Sequence, residues 1–191
     1  MARKKIKLIT FDLDDTVWPN HKVIVDAEKA LWNFLINKVP QVKDDLTEEN
    51  INRIRVELVE NDTSLKFNLT EFRKKVVKEL LLRIGLDENE AIYYSNESFN
   101  EFFKARNKVQ LYKDAKTILE RLHRKVVIGS LSNGNADLSI VGIKAFFDFS
   151  ICSKDVGSNK PSPPHFLKAL ELVECEPEEV VHVGDCPVND V

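Results

Sequence analysis

Two aspartates near the start of the chain, Asp12 and Asp14, follow a short apolar run and could do chemistry together. If the backbone stayed extended there, both carboxylates would point to the same side. One carboxylate could attack phosphorus to give an aspartyl-phosphate, while the other protonates the leaving oxygen and later deprotonates water. Thr16 would support this site. The stretch 11–16 could equally be an acidic strand-to-turn junction held by local side-chain hydrogen bonds.

A divalent cation would be needed beside such a pair, because two ionised carboxylates repel a phosphate dianion. Mg²⁺ prefers oxygen ligands and keeps several waters, so two carboxylates and a carbonyl suffice. Asp185 is the natural further ligand, and Asp190 could orient a metal-bound water or a lysine. A Gly-Asp pair such as 184–185 is also common in turns. His182 reads as a packed strand residue, with a supporting role near Asp185 left open.

Groups that can bind phosphate oxygens follow other apolar runs. Ser132 and Asn133 offer a hydroxyl, an amide and backbone N–H groups, although Ser-Asn-Gly is also ordinary turn chemistry. Lys160 could hold the phosphate and balance the charge of Asp12, whereas an isolated loop lysine is usually just solvated. The functional interpretation therefore depends on four polar clusters occurring in this order, each after a predicted strand.

The elements that would position these groups alternate between strands and helices. Apolar runs predict short strands at 6–11, 126–128, 149–152 and 180–183. Helical periodicity between them predicts an α/β fold with a Rossmann-like parallel sheet. Ligands bind beyond the carboxyl ends of the strands in such sheets. The fold would therefore bring the four polar clusters to one rim.

The middle of the chain has helical periodicity throughout and predicts a module of about four helices. Its phenylalanines are expected to fill the core of this module. Candidate N-caps are Asp45 or Thr47, Asn68, Asp87 and, beyond the module, Asp114, with Gly85 as a candidate helix stop. We predict a catalytic core made of residues 1–17 and 109–191, interrupted by a helical unit at 18–108.

Composition narrows the class of protein and its partners. The 191 residues are 43% hydrophobic and 31% charged, which is typical of a folded protein. A net charge of −3 gives no global attraction to nucleic acid or anionic membranes, and no segment approaches a membrane span. The three cysteines lack CxxC spacing, which predicts free thiols in the cytoplasm. We therefore expect a small-molecule partner, with neither nucleic acid nor membrane involved.

Taken in order, the polar clusters resemble the four motifs of the haloacid dehalogenase-like hydrolase superfamily. The matching stretches are 11–16, 131–134, 160–161 and 183–185 with Asp190. The resemblance implies that Asp12 is a nucleophile and Asp14 a general acid/base. It also implies that Ser132 and Lys160 bind phosphate. Mg²⁺ would be held by Asp12, the Asp14 carbonyl and Asp185. The helical insert resembles the family's cap, which closes over the site and selects the substrate.

Because it has a second aspartate at position 14, the sequence resembles the phosphatases of this superfamily more than its dehalogenases, which lack that acid/base. The stretches 10–17, 132–136 and 182–185 most resemble bacterial flavin mononucleotide and 5-amino-6-(5-phosphoribitylamino)uracil phosphatases of riboflavin biosynthesis. Family members continue with a further helix and strand, so the resemblance predicts that C-terminal elements are missing here. Open alternatives are a phosphomutase or a dehalogenase on the same scaffold, and a non-catalytic binding or regulatory module.

Overall fold

The computed structural model describes residues 5–190, and the chain divides into two compact units. The first unit takes both ends of the chain, up to His21 and from Val109 onward, and the second is Lys22–Lys108. The sequence-based division placed the first boundary after residue 17 instead. The difference arises because Trp18 is fully buried in the core of the first unit.

The first unit contains the predicted parallel sheet, which is confirmed. Its strands are β1 (Leu8–Phe11), β2 (Val127–Ser132), β3 (Phe149–Cys152) and β4 (Val180–Val183). They lie in the order β3-β2-β1-β4, and every neighbouring pair is parallel. Strand β1 is therefore central, and Phe11 at its end is level with Ser130 of β2 and Val183 of β4. All four strands end at the same edge, where ligands of parallel sheets bind.

The second unit is built from four α-helices, as predicted. These are α1 (His21–Lys38, which begins at the boundary), α2 (Glu48–Asn61), α3 (Leu69–Arg83) and α4 (Glu88–Arg106). Short 3₁₀ turns at Pro40–Asp45 and Thr63–Phe67 lie on either side of α2. Within residues 5–190, no helix has both the length and the apolar character needed to cross a membrane.

Local capping explains where these helices begin and end. The side chains of Thr47, Asn68 and Asp87 each accept a hydrogen bond from the backbone N–H three residues on, which confirms three predicted caps. Helix α3 ends before Gly85, whose φ of +94° lies in the left-handed region open to glycine. The module thus follows from signals that are local in sequence.

Four shorter α-helices belong to the described part of the first unit. They are α5 (Ala115–His123), α6 (Leu138–Val141), α7 (Ser153–Val156) and α8 (Pro164–Val173). Asp114 occupies the N-cap position of α5, as predicted, but its side chain makes no capping hydrogen bond. The reason is its left-handed backbone, with φ of 68°, because side-chain capping requires an extended N-cap residue.

The helical unit has an aromatic centre that supports a stability prediction. Phe102 is buried, its ring centroid lies 5.8 Å from that of Phe99, and the Arg73 guanidinium lies 3.8 Å from the Phe102 centroid. We expect Phe102→Ala to lower the free energy of unfolding by about 3–5 kcal/mol, because it removes a ring and leaves a cavity. Urea denaturation followed by circular dichroism measures this.

A matched control is Tyr93→Ala in the same helix, because the Tyr93 side chain is 60% exposed. We expect this change to shift the free energy of unfolding by no more than about 0.5 kcal/mol. Equal losses for the two variants would contradict the assignment of Phe102 to the core of the unit.

Candidate active site

Residues from three adjacent strands meet at the carboxyl edge of the sheet. Asp12 directly follows β1, Ser132 ends β2 and Asp185 lies just beyond β4. The Asp12 backbone N–H donates to the Val183 carbonyl oxygen at 2.8 Å. The Thr16 hydroxyl donates to Asp185 Oδ1 at 3.3 Å, which ties the first polar cluster to the last. The structure therefore brings together residues that are more than a hundred positions apart in the sequence.

Lys160 is the buried cation of this edge. It is 3% exposed, and its Nζ donates to Asp12 Oδ1 at 2.8 Å and to Asp190 Oδ1 at 2.6 Å. Burial raises the pKa of Asp12 to about 6, although the Lys160 hydrogen bond acts to lower it. Burial also acts to raise the pKa of Asp190, but its hydrogen bonds with Lys160 and His182 bring it below its ordinary value. One ammonium group thus lies between two buried carboxylates and is hydrogen-bonded to both.

His182 connects this ion pair to β1. Its Nε2 lies 3.1 Å from Asp190 Oδ1, and its Nδ1 lies 2.8 Å from the Thr10 hydroxyl oxygen. Burial lowers the pKa of His182, which favours the neutral ring. A neutral ring donates from Nε2 to the carboxylate and accepts the Thr10 hydroxyl proton at Nδ1. His182 is therefore a strand residue, as predicted, whose ring also orients Asp190.

Gly184 permits the close approach of Asp190 to the end of β4. A Cβ atom at position 184 would lie 2.2 Å from Asp190 Cγ. Any residue other than glycine would therefore clash with the Asp190 side chain. The Cys186 backbone N–H donates to Asp190 Oδ2 at 3.1 Å and fixes the other carboxylate oxygen. The interpretation of residues 184–185 as an ordinary turn pair missed this packing requirement.

Asn133 holds the lysine loop through its side chain. Its Oδ1 accepts from the Lys160 backbone N–H at 2.7 Å and from the Ser153 hydroxyl at 3.2 Å, and its Nδ2 donates to the Lys160 carbonyl at 3.2 Å. These contacts hold the amide against the lysine loop, and the binding of phosphate oxygens by Asn133 stays a prediction. The neighbouring Ser132 Oγ accepts from the Gly134 N–H at 2.9 Å, so its hydroxyl proton can still be directed at a ligand oxygen.

Asp14 lies in a tight turn after β1, and its carboxylate is held by a residue that sequence analysis missed. The Trp18 indole Nε1 donates to Asp14 Oδ1 at 2.9 Å. Asp15 between them has a left-handed φ of 63°, and its N–H donates to the Trp18 carbonyl at 2.8 Å. The only sequence signal was a large aromatic residue in a polar turn, which gave no indication of its partner.

The oxygen atoms of this edge have the donor chemistry that magnesium prefers. Within residues 5–190, no three or more His, Cys, Asp or Glu side chains are grouped as a metal site. The predicted ligand set contains only two carboxylates, Asp12 and Asp185, with the Asp14 carbonyl as a third oxygen. Lys160 bonds Asp12 through Oδ1, which leaves Oδ2 for a cation. These hard oxygen donors, completed by water, suit Mg²⁺ better than softer metals.

The chain matches a known protein family and a solved structure along nearly its whole length. A family model described as haloacid dehalogenase-like hydrolase matches residues 6–191. A crystal structure of 2-haloacid dehalogenase from Pseudomonas syringae pv. Tomato DC3000 is 37% identical, with a TM-score of 0.94 over 97% of this chain and 80% of that chain. The match to a solved structure therefore extends over both units of the chain.

Two phosphatases are similar over nearly the whole chain. The 5-amino-6-(5-phospho-D-ribitylamino)uracil phosphatase YigB of Escherichia coli is 27% identical over 187 residues, or 98% of this chain and 78% of that protein. The glyceraldehyde 3-phosphate phosphatase of Methanopyrus kandleri is 29% identical over 196 residues, covering 97% of this chain and 78% of that protein. The similarity to each phosphatase therefore includes the helical unit.

Proposed function

The chain belongs to the haloacid dehalogenase-like hydrolase family, and from this premise we propose that it hydrolyses phosphomonoesters through an aspartyl-phosphate on Asp12. The observation that carries the proposal is the pairing of Asp12 with Lys160 at the carboxyl end of β1. This arrangement supplies a carboxylate nucleophile and, beside it, a cation for the phosphate oxygens.

The first half-reaction transfers the phosphoryl group to the protein. A carboxylate oxygen of Asp12 forms a bond to phosphorus, the bond from phosphorus to the ester oxygen breaks, and its electron pair stays on that oxygen. Asp14 donates the proton that completes the alcohol product. Lys160 and the Ser132 hydroxyl hold the equatorial oxygens, where negative charge concentrates in the transition state.

The second half-reaction restores the free enzyme. Asp14, now a carboxylate, takes a proton from a water molecule whose oxygen bonds to phosphorus as the bond from phosphorus to Asp12 breaks. The products are inorganic phosphate and the Asp12 carboxylate, and Asp14 is again protonated. A magnesium ion held by Asp12, the Asp14 carbonyl and Asp185 would supply charge neutralisation between the carboxylates and the phosphate. Asp190 and Thr16 would position Lys160 and Asp185.

The substrate class is a small phosphorylated metabolite. The similarity to YigB supports a riboflavin precursor or flavin mononucleotide as the substrate, and the similarity to glyceraldehyde 3-phosphate phosphatases supports a short sugar phosphate. In this proposal the helical unit Lys22–Lys108 is the cap that selects between them. The cysteines, all free thiols, are compatible with a cytoplasmic enzyme.

A dehalogenase is the second candidate, and one observation favours it. The solved structure with 37% identity is a 2-haloacid dehalogenase. Against this stands Asp14, because displacement of halide by Asp12 needs no proton donor for the leaving group. Halide release from 2-haloacids, measured beside phosphate release, distinguishes the two reactions. A phosphomutase would instead return the phosphoryl group to a second hydroxyl of the sugar.

We expect Mg²⁺-dependent phosphate release from at least one of a panel of phosphomonoesters. The panel includes flavin mononucleotide, 5-amino-6-(5-phosphoribitylamino)uracil, glyceraldehyde 3-phosphate and hexose phosphates. Ethylenediaminetetraacetate should abolish release and added Mg²⁺ should restore it, because the carboxylates would then face the phosphate without a cation. Measurement of inorganic phosphate follows both effects.

An Asp12→Asn preparation serves as the blank for contaminating phosphatases. Equal phosphate release with and without chelator would contradict the metal proposal, and halide release without phosphate release would favour the dehalogenase. No turnover of either kind by a cooperatively folded protein would support the binding-module alternative.

A further inference from the structure

Trp18 occupies an unusual position for a large aromatic residue, in the turn between β1 and α1. Its side chain is completely buried and packs in the same cluster as Phe11 and Phe147. Its indole nitrogen nevertheless reaches out of this apolar cluster to a carboxylate, Asp14 Oδ1, at 2.9 Å. Because the buried ring cannot move freely, its hydrogen bond restricts the position of that carboxylate oxygen.

The indole N–H can only donate, so its partner oxygen must accept. A proton on Asp14 Oδ1 that pointed toward the indole would meet the N–H hydrogen and break this bond. The hydroxyl oxygen of a carboxylic acid is a poorer acceptor than its carbonyl oxygen, so the indole bond to Oδ1 favours the proton of the acid form on Oδ2. The two carboxylate oxygens, equivalent in free aspartate, become different here.

The backbone hydrogen bonds of the turn fix the indole ring and the Asp14 carboxylate relative to each other. The Val17 N–H donates to the Leu13 carbonyl at 2.8 Å, and the Asp15 N–H donates to the Trp18 carbonyl at 2.8 Å. Asp14 and Trp18 also form an isolated bridge of the kind found between strands. Rotation of the Asp14 side chain would therefore cost its hydrogen bond to an indole that cannot follow it.

We propose that Trp18 is a positioning residue that orients the Asp14 carboxylate, so that Oδ2 alone delivers the proton to the leaving oxygen. This inference rests on the proposed function, in which Asp14 protonates the leaving group. Trp18 would therefore assist protonation of the leaving group, in addition to packing in the core. The indole itself does not touch the substrate.

The test compares two leaving groups in a Trp18→Phe variant, which keeps most of the packing and removes the N–H. An alkyl phosphate must receive a proton as it leaves, whereas p-nitrophenolate is stable without one. We expect kcat/KM to fall about tenfold or more for the preferred alkyl phosphate, as a fraction of what a general acid contributes. For p-nitrophenyl phosphate we expect a fall of no more than about twofold. The readout is kcat/KM because it reports formation of the aspartyl-phosphate.

A double-mutant cycle with Asp14→Asn provides the internal control. An asparagine has no acidic proton to orient, so Trp18→Phe should not change the ratio of the two kcat/KM values further in that background. If Trp18→Phe does not fold, the isosteric analogue β-(3-benzothienyl)alanine at position 18 replaces only the N–H by sulfur. The same selective loss is expected from it.

Equal losses on both substrates, or no loss on either, would overturn the role of Trp18 and leave it as a packing residue. A further change of the ratio in the Asp14→Asn background would overturn it as well. Failure of the proposed function has a different signature, since the wild-type protein itself would then release no phosphate from either substrate.

Discussion

The Asp12→Asn variant is expected to lose Mg²⁺-dependent phosphate release, with kcat lowered by more than about a thousandfold. The amide that replaces the carboxylate is a poor nucleophile and cannot form the aspartyl-phosphate. Inorganic phosphate release under saturating substrate measures the loss. Mass spectrometry of the wild-type protein, quenched in acid during turnover, should show the added phosphoryl group that the variant lacks.

The variant should still fold, which makes its inactivity informative. Burial already raises the pKa of Asp12 to about 6, so the fold does not depend on a charge at this position. Lys160 keeps its second carboxylate partner, Asp190, at 2.6 Å. An unchanged or slightly higher thermal midpoint is therefore expected.

Asp15→Asn is the matched control because it makes the same chemical change three positions away. Asparagine tolerates the left-handed backbone of Asp15, and its side-chain oxygen can still accept the hydrogen bond from the Asn20 N–H. This control should keep full activity. Undiminished turnover by Asp12→Asn, or equal losses in the two variants, would refute the assignment of Asp12 as the nucleophile.

Lys160→Met is expected to lower kcat/KM by about a hundredfold or more, because the phosphate oxygens lose the cation that we propose holds them. The same change leaves Asp12 and Asp190 as buried carboxylates without their shared ammonium group. Removing one member of a buried ion pair costs about 3–5 kcal/mol of stability. Activity and the free energy of unfolding should therefore fall together in this variant.

The double variant Lys160→Met/Asp190→Asn separates these two effects. It removes one of the two uncompensated carboxylates, so part of the lost stability should return. Activity should not return, because the cation is still absent. Recovery of activity along with stability would show that Lys160 acts only through the fold, and would contradict its role at the phosphate.

Much of the sheet could be predicted from the sequence because buried parallel strands are nearly continuous apolar runs. Residues 149–152 and 180–183 are strands with the predicted bounds. Helix starts were predictable at Thr47 because capping is a contact over three residues. The missing side-chain bond at Asp114 could not be predicted, because the local pattern does not reveal its left-handed conformation.

In the candidate site, too, some features could be predicted from the local sequence and others depend on residues far apart in the chain. The residue types and the strand ends indicated where Asp12, Lys160 and Asp190 would gather, since parallel strands end at one edge. The partners of Asn133 and Trp18 could not be predicted, because a hydrogen bond between side chains depends on ångström-scale placement. The proximity of Gly184 to Asp190 is equally invisible in a sequence.

The position of β1 at the centre of the sheet has a consequence for how the protein is made. Leu8 pairs with Val127 and Val180, so β1 leaves the ribosome before both of its neighbours and must wait for them. Synthesis proceeds at roughly 5–20 residues per second, which leaves this apolar strand without a partner for several seconds at least. Helices α1–α4, whose packing contacts are closer in sequence, can form during that interval. The bond from Lys160 to Asp12 spans 148 residues, so Asp12 acquires its cation only after at least that many further residues have been made.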